Sequence, residues 1–200
     1  MKLYDYLPSG NSYKVRLLMS YLDLSYEHVP IDIHTGDTQT AEYKAKNPVG
    51  QIPLLELADG RVLAESNAIL FFLAEGTPYW PKNAFDQAQV LRWMFFEQYK
   101  HEPSIAVARF IRMYAMESRA DQLEALMPKG YAALDVMEDH LSTHHWFVGA
   151  GPSIADISLY AYTHVAGDGG FDLSAYPNIT AWVLRVADHP KHILITDQPK

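Results

Sequence analysis

Two periodicities follow one another along this chain, and no single layer of secondary structure satisfies both. Up to residue 76 the apolar pattern switches between strand and helix spacing. Lys2 to Tyr6 has strand character, the breaker segment Leu7-Pro8-Ser9-Gly10-Asn11 follows, and Val15, Leu18, Met19 and Leu22 then recur at i, i+3, i+4, i+7. Tyr26 to Ile33 places Val29, Ile31 and Ile33 at alternate positions, and Pro30, which has no N–H to give a ladder, assigns this strand to a sheet edge. A helical turn is expected around Ala41 to Ala45. Ile52 to Leu57 and Arg61 to Ala64 flank Asp59-Gly60, a hairpin signal, and Ser66 opens a helix carrying Ile69, Leu70 and Leu73. Residues 77–85 hold two prolines and read as a linker. Beyond it only helix spacing remains, over 86–100, 104–117, 120–141, 153–165 and 176–187, with Pro103, Gly149-Ala150-Gly151-Pro152 and Gly167 to Gly170 as separators.

The order β-α-β-α-β-β-α is what a small mixed sheet with helices on its faces requires, a thioredoxin-like arrangement. The expectation is therefore an α/β domain over 1–76, a linker over 77–85 and an all-α domain over 86–200. Composition narrows the function. The formal charge of −8 disfavours a nucleic-acid surface, which needs clustered Lys and Arg against phosphates. No run approaches the roughly 18 apolar residues of a membrane helix. The opening MKLYDYLPSG lacks the apolar run of a secretory signal, so a cytoplasmic location without membrane contact is expected. With no cysteine, the chain has neither a disulfide nor a thiol nucleophile of its own.

Three junctions carry candidate chemistry. At the first, Ser9, Asn11 and Ser12 stand between a strand and a helix N-terminus, where orphan N–H groups and the helix dipole favour an anion. The same side chains also suit plain helix capping, and a hydroxyl serves one of these tasks at a time. At the second, Asn47-Pro48-Val49-Gly50-Gln51-Ile52-Pro53, a cis X-Pro bond would present the backbone of Ile52 to an extended peptide. Only about 5% of X-Pro bonds are cis, which makes a trans proline opening a strand the expectation. The third is Glu65-Ser66-Asn67. A carboxylate beside a helix N-terminus accepts an ammonium group while Ser66 holds a carboxylate, so the pair suits an α-amino acid head; simple capping by Ser66 is the alternative.

These three junctions in register, together with Gly151-Pro152-Ser153-Ile154-Ala155-Asp156, resemble the cytosolic glutathione transferases over essentially the whole chain. Ser153 and Asp156 have capping-box spacing and resemble the family's buried N-capping box, a folding element. The resemblance accounts for the missing cysteines, since a transferase borrows its thiol from glutathione and needs only to stabilise the thiolate. It implies Ser9 as the group bonded to the glutathione sulfur and Asn11 as the second candidate. It further implies Gln51 at the glycyl end, Ile52 with Pro53 at the cysteinyl backbone, Glu65 and Ser66 at the γ-glutamyl head, and Thr38 or Gln39 at the glycyl carboxylate. Tyr4 and Tyr6 are expected in the core or at the rim. The Ser-Gly-Asn-Ser turn departs from the Ser-Ser-Cys pattern of zeta-type isomerases and argues against maleylacetoacetate isomerisation.

Glutathione is thus the implied co-substrate, a small hydrophobic electrophile its partner, and a homodimer acting in detoxification the implied assembly. Tyr99, His101, Arg109, Met113 and Tyr114 are the expected electrophile contacts, although such spacing suits plain packing too. Within Trp93-Met94-Phe95-Phe96, core packing is expected, with part facing a partner subunit. His140, His144 and His145 lack further ligands at metal spacing and are expected to face solvent, so no metal is implied. Two other readings stay open. One is glutathione-dependent reduction of a disulfide or peroxide, favoured by the pairing of Ser9 with Asn11; the other is a non-catalytic glutathione- or ligand-binding protein.

Overall fold

The computed structural model describes residues 1–199, which pack as two units: residues 1–76 with the tail from Lys191, and Thr77–Pro190. In the first unit β1 (Lys2–Asp5) pairs in parallel with β2 (Glu27–Pro30) and antiparallel with β3 (Leu54–Glu56), and β3 pairs antiparallel with β4 (Val62–Ala64). The order β2-β1-β3-β4 leaves β2 at an edge, where Pro30 is tolerated. Helices α1 (Gly10–Tyr21) and α3 (Ser66–Ala74) fall where their apolar spacing places them, and α2 (Ala41–Lys46) where a helical turn is expected. Leu3, Val15, Leu18, Met19, Leu54, Leu55, Ile69 and Leu70 are wholly buried, each such side chain contributing roughly 1.5–3 kcal/mol of transfer free energy.

The tail corrects the expected domain boundary. Sequence spacing places it in the all-α part, yet from Lys191 it packs in the first unit, because α1 offers its carbonyls a row of donors at i, i+3, i+7. The Tyr13 hydroxyl donates to the Ile193 carbonyl at 2.6 Å, Arg16 Nη2 to that of Ile195 at 3.1 Å, and Ser20 Oγ to that of Lys191 at 2.7 Å. Arg16 also donates to the Leu7 carbonyl at 2.6 Å and pairs with buried Asp5 at 2.9 Å, which fixes the turn leading to Ser9.

The second unit holds α4 (Ala84–Phe96), α5 (Glu102–Phe110), α6 (Met116–Arg119), α7 (Leu123–Leu141), α8 (Ile154–Thr163) and α9 (Pro177–Ala187). Pro103 does not separate helices as expected. A π-turn at Glu97–His101 leads the helical path directly into α5, a second at Ile111–Ala115 extends it beyond, and Pro103 sits in the first turn of α5, where its missing N–H is least needed. At α8 the capping box is complete. Asp156, fully buried, accepts from the Ser153 N–H at 2.8 Å, the Ser153 hydroxyl at 2.9 Å, the Phe147 N–H at 3.1 Å and the Trp182 indole at 3.0 Å. Burial pushes this carboxyl up from its ordinary range, and the four donors oppose that push.

Trp93 and Met94 are buried while Phe95 is exposed, so the aromatic run of α4 is split between core and surface. His144 and His145 are exposed, but His140 is not solvent-facing as expected. Its ring lies 4.8 Å from that of Trp93 and stacks on those of His144 and Phe147. Burial holds the His140 imidazole below its ordinary range, and His144 acts in the same direction. The native state therefore favours the neutral ring. This contribution is complete above about pH 6.5, the unfolded-state value, and is lost as pH falls from there through the lower folded-state value. The unfolding midpoint of the wild type is expected to decline more steeply below that pH than that of His140→Phe, and parallel melting curves across pH 5–7 would exclude the assignment.

Candidate active site

Ser9 is the N-cap of α1, its backbone extended (φ −73, ψ 123) and its hydroxyl oxygen accepting from the Ser12 N–H at 3.3 Å. Capping and anion binding, read from the sequence as exclusive for one hydroxyl, are compatible. The cap uses the oxygen as acceptor and leaves the O–H proton to be donated. Asn11 stands in the first turn of α1, half-buried like Ser9. Its Oδ1 lies 3.4 Å from the hydroxyl of Ser66, the first residue of α3, so the first and third junctions meet side chain to side chain.

The second junction is built by α2. The Tyr43 hydroxyl and the Asn47 side-chain amide both donate to the Gln51 carbonyl, at 2.7 and 2.8 Å, and the Gly50 N–H closes the turn by donating to the Asn47 carbonyl at 2.9 Å. Burial pushes the Tyr43 phenol up to about 12, so it remains a donor throughout the neutral range. Gly50 has φ +69, and a Cβ there would meet Gln39 Nε2 at 2.9 Å and the Thr38 carbonyl at 3.0 Å; only glycine lets the two loops approach so closely. Thr38 is buried and Gln39 exposed, with Gln39 Nε2 donating to the Thr38 hydroxyl at 3.1 Å. The Ile52-Pro53 bond is cis, where trans was expected. Ile52 lies ahead of the first β1–β3 pair, Tyr4 with Leu54, and Gln51 is exposed.

Glu65, exposed, links β4 to α3 with φ +69 and ψ 113, a conformation that costs a side-chain-bearing residue roughly 1–3 kcal/mol, and its carboxylate does not cap α3. Ser66 is 5% exposed. Ser9, Asn11, Gln51, Ile52, Glu65 and Ser66 thus all stand at strand-to-helix or loop-to-strand junctions of one unit. A cavity of about 660 Å³ lined by Arg16, Tyr26, His192 and Gln198 contains none of them.

The family profile "Glutathione S-transferase, N-terminal domain" matches residues 1–75, and "Glutathione S-transferase, C-terminal domain" matches residues 91–190. This chain belongs to the glutathione S-transferase family. A crystal structure of glutathione S-transferase from Pseudomonas fluorescens Pf-5 is similar to it with a TM-score of 0.96 and 55% identity, covering 98% of each chain. The glutathione S-transferase-like protein LUC7 of a Fusarium species is 31% identical over 94% of this chain and 88% of its own. Maleylacetoacetate isomerase of Rhizobium meliloti is 30% identical over 90% of this chain and 87% of its own.

The expected electrophile contacts divide. Tyr99 (78% exposed), Met113 (42%) and Tyr114 (40%) present surface, and Tyr114 lies against Phe110 with ring centroids 5.5 Å apart. His101 is wholly buried, its ring 2.8 Å from the Thr163 hydroxyl, and Arg109 is 8% exposed and paired with Asp168 at 3.0 Å. Both sit on the inner face of the α4–α5 helical path, which sequence spacing alone did not distinguish from the outer one. Sequence reasoning also missed Tyr43 and Asn47, which hold the Gln51 carbonyl, and Lys14, whose ammonium lies 2.8 Å from Asn11 Oδ1. Their spacing is that of ordinary helix and turn residues. Tyr4, half-buried, donates to Glu56 at 2.8 Å with its ring 6.1 Å from that of Tyr43, and the Tyr6 hydroxyl lies 3.1 Å from the His34 ring while its carbonyl accepts from the Ser9 N–H at 2.8 Å.

Proposed function

We propose that the chain is a glutathione transferase that binds glutathione along its first unit and stabilises the thiolate for attack on a hydrophobic electrophile. Gln51 and Gln39 take the glycyl end, with Thr38 behind Gln39, and Ile52, held by its junction with Pro53, pairs with the cysteinyl backbone. Glu65 and Ser66 take the γ-glutamyl head, Glu65 accepting its ammonium and the Ser66 backbone N–H, at the start of α3, donating to its carboxylate. Ser9 donates its hydroxyl proton to the sulfur, with Asn11 beside it. The thiolate then forms a carbon–sulfur bond, and a leaving group departs with its electron pair or, at a conjugated alkene, the adjacent carbon takes up a proton.

The observation that carries this reading is the N-cap geometry of Ser9, which aims a hydroxyl at the positive end of α1 while its proton stays available. A free thiol has a pKa of about 8.5, and each unit of lowering represents about 1.4 kcal/mol of preferential thiolate stabilisation, within reach of one good donor and a helix terminus. A cytoplasmic location and a homodimer are part of the proposal, the homodimer supported by the exposed Phe71 and Phe72 of α3.

Ultraviolet difference titration of glutathione bound to the protein is the test. The expected midpoint lies about one to two units below that of free glutathione, and Ser9→Ala raises it by about one unit. An unshifted midpoint with binding retained would leave a glutathione-binding protein without activation. If Asn11→Ala moves the midpoint and Ser9→Ala does not, the roles exchange. The second reading, reduction of a disulfide or peroxide, is favoured by Asn11 standing beside Ser9, and turnover of a mixed glutathione disulfide above that of an aryl halide would select it. Maleylacetoacetate belongs in the same screen, because an isomerase is 30% identical even though the Ser-Gly-Asn-Ser turn departs from the isomerase pattern.

A further inference from the structure

Lys14 lies on α1 one turn beyond Asn11 and is wholly buried. Lysine is almost never sequestered so completely without a structural partner, since an ammonium leaving water must recover its solvation from hydrogen bonds. Here Nζ lies 2.8 Å from Asn11 Oδ1 and 3.5 Å from Ser66 Oγ, while Ser66 Oγ lies 3.4 Å from Asn11 Oδ1. The three polar atoms close a triangle between the first turn of α1 and the first residue of α3.

The chemistry of the ammonium decides how Asn11 stands. Lysine offers donors only, so it accepts the oxygen edge of the amide and rejects the NH₂ edge. With Oδ1 held by Lys14 and Ser66, the donor edge, Nδ2, is turned the opposite way. A thiolate needs donors, and a flipped Asn11 would present it with an acceptor.

We infer that Lys14 is a positioning residue for the thiol end of the site, locking the Asn11 amide with its donor edge toward the sulfur and tying that orientation to Ser66 at the γ-glutamyl end. The inference rests on the glutathione reading above and adds a residue with no expected contact to the substrate. Lys14 acts through Asn11, so its removal and that of Asn11 must not add.

The experiment is the thiol titration of bound glutathione in the wild type, Lys14→Met, Lys14→Arg, Asn11→Ala and the Lys14→Met/Asn11→Ala double variant. Binding of S-methylglutathione, which has no ionisable thiol, is measured in parallel. Lys14→Met is expected to raise the thiol midpoint by about one unit, a roughly tenfold loss of thiolate below both midpoints. Lys14→Arg, which keeps a buried cationic donor, restores most of the shift. The double variant equals Asn11→Ala, and S-methylglutathione affinity changes by less than about threefold. Should Lys14→Met fail to fold, Lys14→Gln keeps the volume without the charge and carries the same expectation of a raised midpoint. A wild-type midpoint that is itself unshifted overturns the thiolate reading and this inference together. A shifted wild type with an unshifted Lys14→Met, or with shifts that add in the double variant, overturns this inference alone.

Discussion

Asp156→Ala is expected to lower the stability of the protein by about 3–5 kcal/mol. The carboxylate receives the Ser153 and Phe147 N–H groups, the Ser153 hydroxyl and the Trp182 indole N–H, all in a fully buried site. Removing it strands these donors at roughly 1–3 kcal/mol each, partly relieved by relaxation, and also removes the reciprocal half of the α8 capping box. For a chain of this size the unfolding midpoint should fall by about 10 °C, read by calorimetry or circular dichroism. Asp156→Asn keeps one acceptor oxygen and should lose about half as much. A midpoint within about 2 °C of wild type for Asp156→Ala would mean that the four hydrogen bonds hold nothing water does not hold as well.

Replacing Glu65 is expected to separate binding from stability. Its φ of +69 with ψ 113 is strained for any side chain, and the exposed carboxylate takes no part in capping α3. Strain kept where folding gains nothing from it fits a residue whose side chain must point at a ligand. Glu65→Gly relieves the backbone at some cost in unfolded-state entropy, so its melting midpoint should equal or exceed that of wild type. Its glutathione affinity should fall by about 30-fold or more, the loss of an ammonium-to-carboxylate bond. Isothermal titration calorimetry checks this, and an unchanged dissociation constant would place the γ-glutamyl head elsewhere.

What local chemistry governs was readable in the residues themselves. The strands, the Asp59-Gly60 hairpin, the Ser9 cap and the Ser153–Asp156 box depend on spacing and on side chains within a few positions of one another. Four motifs in register then pointed to the family. Other features depended on residues far apart in sequence. The tail from Lys191 joins the first unit because Tyr13, Arg16 and Ser20 line up on α1 to receive its carbonyls. His101 faces Thr163 and not the surface because of where α8 packs. Lys14 reads as an ordinary polar helix position until α3 brings Ser66 to it across 52 positions. The sequence by itself determined which segments become strand or helix and which family they compose, because those signals are short-range. Only the tertiary structure decided which polar groups are buried together, because burial and partnership are properties of packed elements and have no period along the chain.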